Sequence, residues 1–175
     1  MEFVLNNLSR PRMFGAAAVA MGLMAVALPG QQARAQNATA TSTMQITATV
    51  LKLCAVTATN LAFGDYTPTE AKDGQAELQV LCTTNTPFNV ALNLGTATTA
   101  AARVMAGTVA GSTLNYALYR NSGRTDVWGD AAGTDTFSGT GTGTTQTIPV
   151  YGRIPANQRP QPGLYTDTVT VTLTY

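Results

Sequence analysis

Histidine is absent from the 175 residues. The commonest general base and metal ligand is therefore missing, and with it most acid–base and metal chemistry near neutral pH. Charge is sparse too: Lys, Arg, Asp and Glu make up 11% of the chain, and the net charge is +1. Such a balance builds neither a nucleic-acid footprint nor a polybasic membrane patch. Cysteine occurs only at Cys54 and Cys82. Long amphipathic helical patterns are missing, which leaves β-structure as the expected class.

The first segment reads as a leader. Arg10 and Arg12 form a basic start, Met13 to Leu28 is apolar, Pro29-Gly30 breaks the run, and Ala33-Arg34-Ala35 offers a cleavage site before Gln36. Gly15 and Gly22 interrupt an apolar stretch shorter than the about 20 residues of a membrane span. Residues 1–35 are therefore expected to be a signal peptide, and the mature chain of 140 residues is expected to be exported with no membrane span. Removing three of ten basic residues and one of nine acids leaves seven against eight, a net charge of −1. In an exported chain an isolated cysteine pair reads as one disulfide, Cys54–Cys82. Closing that loop stabilises by roughly 3 to 4 kcal/mol on the chain-entropy model.

The mature chain is rich in Thr, Ala and Gly, and short apolar runs alternate with turn residues, the pattern of a β-sandwich. Strands are expected at Thr43–Leu51, Cys54–Thr57, Asn60–Gly64, Ala76–Cys82, Phe88–Leu94, Val104–Val109, Leu114–Tyr119, Thr145–Arg153 and Tyr165–Tyr175. Thr67-Pro68 and Asp73-Gly74 are expected to bracket a loop, and Asn121-Ser122-Gly123 to make a turn. Pro155 to Gly163 is a proline-rich connection. Gly129 to Gly143, of low complexity, is expected to be a mobile surface loop.

Two segments carry the clearest alternation. In Tyr165–Tyr175 the residues Val169, Val171, Leu173 and Tyr175 share one face and five threonines share the other. Near the start of the mature chain Met44, Ile46, Ala48 and Val50 do the same. A half-apolar strand at one end with no successor, and a spare one at the other, point to subunits that complete one another. Pairing through an open sheet edge is a hazard that most proteins suppress.

Catalysis finds little support. The carboxylates Asp65, Glu70, Asp73, Glu77, Asp126, Asp130, Asp135 and Asp167 sit mostly beside Gly, Thr or Pro, with no paired spacing. Gly139 to Gly143 lacks the lysine and the strand–helix context of a phosphate-binding loop. No catalytic, cofactor-binding or metal-binding residue is assigned, and no cofactor is expected.

An ordered set of motifs remains: Cys54, Leu61–Tyr66 (L-A-F-G-D-Y), Cys82, Asn115–Arg120 (N-Y-A-L-Y-R), Trp128-Gly129, Val150–Pro155 (V-Y-G-R-I-P) and Gly163–Tyr175. The set strongly resembles the spore coat protein U family across essentially the whole mature chain. That resemblance implies the subunits of archaic chaperone–usher pili. Their fold is an all-β, incomplete immunoglobulin-like sandwich lacking its last strand, completed by a donor strand from a neighbouring subunit. It also implies a periplasmic chaperone and an outer-membrane usher as partners besides the neighbouring subunits, and a place on the cell surface. Carried onto this chain, residues 36–52 would be the donor extension, with Met44, Ile46, Ala48 and Val50 as donors. Residues 53–175 would be the pilin domain, with Val169, Val171, Leu173 and Tyr175 on its acceptor edge. Ala48 is small for a donor, so one pocket is expected to be underfilled.

The expected function is therefore structural: a subunit of a thin pilus that serves adhesion and biofilm formation. The rivals are a tip adhesin, a non-polymerising coat or matrix protein, and a carbohydrate-binding module using Trp128 and nearby tyrosines.

Overall fold

Strict alternation sets most of the architecture in this computed structural model, which describes residues 37–175. The expected signal peptide lies outside the described residues. Residues 47–175 form one unit; the described residues of the preceding unit, 37–46, are exposed and carry no strand.

Nine strands are present among the described residues: β1 Cys54–Ala58, β2 Lys72–Cys82, β3 Pro87–Leu92, β4 Arg103–Gly107, β5 Thr113–Tyr119, β6 Phe137–Thr140, β7 Thr145–Ile154, β8 Tyr165–Thr166 and β9 Val171–Thr174. They form a six-stranded sheet in the order β1-β2-β7-β5-β4-β8 and a three-stranded sheet in the order β6-β3-β9. All named pairs are antiparallel. This is the all-β sandwich expected from the sequence, with each inward face built from every second residue. Leu78, Val80, Leu118, Ile148 and Val150 come from the larger sheet, and Phe88, Val90 and Leu92 from the smaller, into one buried cluster.

Two buried groups staple the layers. Trp128 is fully buried; its indole N–H donates to the Val90 carbonyl at 3.0 Å, and its ring lies 5.7 Å from that of Phe137. Arg103 is equally buried, and its guanidinium donates to the carbonyls of Asn93, Ala100, Leu92 and Trp128 at 2.8 to 3.2 Å. Those four acceptors replace the hydration that burial removes, although burial still pulls the Arg103 pKa down.

Several sequence expectations are corrected. Asp73-Gly74 is not a turn but lies inside β2, because its glycine faces Gly152 of β7 in register. A Cβ at Gly152 would lie 2.8 Å from the Phe63 ring, and one at Gly74 would lie 2.9 Å from Leu61 Cδ2. The glycine pair thus clears space for Leu61 and Phe63. In consequence Asn60–Gly64 forms no strand and lies over the sheet face instead. The expected mobile loop Gly129–Gly143 contains β6, paired with β3. Its glycine content reflects close packing: a Cβ on Gly139 would lie 2.5 Å from the Phe88 ring. Trp128, buried in the core, presents no face to a sugar. The segment Tyr165–Tyr175 is not one strand: β8 pairs with β4, and β9 pairs with β3 in the other sheet.

Candidate functional site

The sandwich is open along one side. β1 pairs only with β2, β8 only with β4, and β6 and β9 each only with β3, so four strands have no second neighbour among the described residues. Between the chain leaving β1 (Ala58–Tyr66) and the segment from Leu164 to Val171 runs a groove of about 1120 Å³. Leu61 and Phe63 form one wall and Val169 and Val171 the other; Leu78, Tyr116, Leu118, Val150 and Ile154 reach its floor. These floor residues belong to the main core, so the groove is a gap in the core rather than a surface dent. β1 also lies against β9.

Of the residues expected on the acceptor edge, Val169 and Val171 line the groove. Along Tyr165–Thr174 the odd-numbered residues are half-buried and the threonines are exposed. Val169, Val171 and Leu173 pack against the core. Tyr175 is half-exposed, at 51%. Asn93 N–H donates to the Thr170 carbonyl at 3.1 Å, and Thr170 N–H to Asn93 Oδ1 at 2.8 Å. The backbone groups of Thr170 are thus aimed at β3. By antiparallel alternation those of Val169, Val171 and Leu173 are aimed at the open edge.

The residues expected to act as donors are all exposed. Met44, Ile46 and Val50 are more than 80% exposed, Ala48 is exposed, and Thr43–Leu51 carries no strand pairing. The expected strand there is absent because a lone extended segment has no ladder partner.

Cys54 and Cys82 are joined, and they face each other across β1 and β2. Thr83 N–H donates to the Leu53 carbonyl at 2.9 Å just above the bond. Together these clip β1, an edge strand bordering the groove, to its one neighbour.

Polar detail sits at the lower end of the groove and was not anticipated from the sequence. The buried Tyr116 hydroxyl donates to Asp167 Oδ2 at 2.7 Å. Burial, reinforced by that carboxylate, pushes the Tyr116 hydroxyl above the usual tyrosine range, so it remains a donor. Tyr66 holds the proline-rich connection, donating to the Pro155 carbonyl at 2.9 Å and accepting from Gln158 N–H at 3.1 Å. The alternation of Tyr165, Asp167 and Val169 onto one face was the available signal that Asp167 lines the groove. No cluster of three or more metal-binding side chains occurs among the described residues, and no described helix is long and apolar enough to cross a membrane.

Comparison with known proteins adds three findings. The family model described as the Spore Coat Protein U domain matches residues 40–172. Protein U of Myxococcus xanthus is 32% identical over 158 residues, covering 81% of this chain and 88% of the relative. A chain in the solved pre-assembly complex of the chaperone CsuC and the tip adhesion subunit CsuE, from the archaic chaperone–usher Csu pili of Acinetobacter baumannii, superposes with a TM-score of 0.57 at 27% identity. That match covers 73% of this chain and 41% of the solved one.

Proposed function

This chain belongs to the Spore Coat Protein U domain family, and from that membership and the open groove we propose that it is a structural subunit of a surface pilus polymerised by donor-strand exchange. The observation that carries the reading is the groove between Leu61–Phe63 and Val169–Val171, whose floor is built from residues of the main core. The extension of a second copy, residues 36–52, fills it. Met44, Ile46, Ala48 and Val50 enter the gap while the backbone pairs with the open edge of β9.

The energetics are sufficient for stable assembly. Moving Met44, Ile46 and Val50 from water into the gap contributes about 1.5 to 3 kcal/mol each. Each ladder hydrogen bond adds about 0.5 to 1.5 kcal/mol net. Because donor and acceptor surfaces differ, the contact repeats head to tail, and a rotation that does not close a ring yields a fibre.

Before assembly the open core needs a cover. A periplasmic chaperone lends a strand after the leader is removed, and an outer-membrane usher exchanges it for the next subunit's extension. Residues 53–175 form the pilin domain, the role is non-enzymatic, and the fibre serves surface adhesion and biofilm formation. The solved relative in complex with a chaperone supports this route.

Replacing Ile46 by Asp tests the reading, because it drives a charge into an apolar gap with no partner. Polymers fail to form while the chaperone-bound subunit persists, since the acceptor gap is untouched. Normal fibres from Ile46→Asp would contradict it.

A further inference from the structure

Building on that donor-strand reading, we propose that Lys52 of one copy forms an ion pair with Asp167 of the next, and that this pair fixes the register of the inserted strand. Lys52 is the sole charged residue in the segment from Asn37 to Leu53, and Asp167 is the sole charged residue from Gly163 to Tyr175. Each lies on the face that matters. Lys52 continues the even-numbered series Met44, Ile46, Ala48 and Val50, while Asp167 continues the odd-numbered series Val169, Val171, Leu173 and Tyr175 and lines the groove.

The direction of the inserted strand follows from the fold. β1 starts at Cys54 opposite Cys82, and β9 ends at Thr174 opposite Asn89, so the chain enters β1 at the end where β9 finishes. A head-to-tail fibre brings the next copy in from the other end, where Tyr165 faces Gly107. Its extension then runs antiparallel to β9. Setting Lys52 opposite Asp167 places Val50 opposite Val169, Ala48 opposite Val171, Ile46 opposite Leu173 and Met44 opposite Tyr175. Both apolar series align along their whole length. The small Ala48 then falls opposite Val171, the first residue of β9.

Charge compensation selects this register over its neighbours. Any strand filling the groove covers Asp167, and a carboxylate removed from water needs a cation or several hydrogen bonds. Within its own chain Asp167 has the Tyr116 hydroxyl and the Thr168 N–H, and no ion pair among the described residues includes it. Arg103 spends its guanidinium on backbone carbonyls. A shift of two residues in either direction leaves Asp167 facing Val50 or the first residue of β1, without a counter-charge.

Inter-subunit crosslinking in polymers of the full mature chain reads the register directly. In the proposed register Thr47 lies opposite Thr172, both on the solvent face. Because the backbone of Thr172 is aimed at β3, this is a non-hydrogen-bonded pair with Cα atoms roughly 4.5 Å apart, within disulfide reach. Oxidised polymers of the Thr47→Cys, Thr172→Cys variant become covalent ladders, while the Thr47→Cys, Thr170→Cys and Thr49→Cys, Thr172→Cys variants do not. In parallel, polymers of Lys52→Glu or of Asp167→Lys dissociate about tenfold faster in denaturant, and the charge-swapped double variant recovers the wild-type rate. Preferential linking of either shifted pair, or a double variant no better than the single ones, overturns the ion pair while leaving the donor-strand reading intact. Polymers that link through none of the three pairs contradict both.

Discussion

Gly74 of β2 faces Gly152 of β7, and the space their missing side chains leave is filled by Leu61 and Phe63. One wall of the groove therefore stands on a glycine pair in the sheet beneath it. Gly152→Val would push Phe63 off the sheet and narrow the gap. The expected cost is about 1 to 3 kcal/mol in the subunit, as for other overpacked cores. Polymers of this variant should melt at lower temperature and form at reduced yield. Unchanged melting and yield would show that Phe63 yields freely and does not shape the gap.

Trp128 is the single tryptophan and is fully buried against Val90 and Phe137. Its fluorescence should be blue-shifted, inaccessible to iodide and unchanged on titration with mono- or oligosaccharides. Emission typical of a solvated indole, or a saturable change with sugar, would revive a carbohydrate-binding role. Trp128→Ala should cost about 3 to 5 kcal/mol as a large core truncation.

Much of this was legible in the sequence, and the misreadings share a cause. Period-2 patterning located β2, β3, β5 and β7 because their inward faces are fully buried. The same patterning could not reveal that Tyr165–Tyr175 changes sheets, since alternation records which face is buried and not which strand is the neighbour. Asp73-Gly74 and Gly139 look like turn and loop chemistry, yet both glycines provide clearance for a ring or a branched side chain. Arg103 gave no warning of burial, because its partners are carbonyls that every sequence contains. Asp167, flanked by threonines like a surface carboxylate, lies on the groove beside Tyr116 only through the fold.

Asp73 ties β2 to β7 on the outside of the same region. Arg153 donates to its two oxygens at 2.7 and 2.9 Å, and Arg124 lies 3.2 Å away. The Arg153 hydrogen bonds hold the Asp73 carboxyl below its usual value. A carboxylate depressed in the folded state stabilises above its unfolded pKa of about 4 and loses that contribution as pH falls through the folded value. Asp73→Asn should therefore lower stability at pH 7 by no more than about 1 kcal/mol, because the pair is exposed. The difference between variant and wild type should shrink as the pH is taken from 5 towards 2. A difference constant over that range would assign the effect to shape rather than charge.

Assembly turns on a sheet that a second copy completes. Deleting residues 36–51 and purifying the remainder without a chaperone should give an unstable, aggregating chain. Restoring residues 40–51 behind Tyr175 through a flexible linker should give a cooperative, chaperone-independent monomer. If the deleted chain itself melts cooperatively as a stable monomer, the groove is not a missing strand and the donor-strand account is wrong.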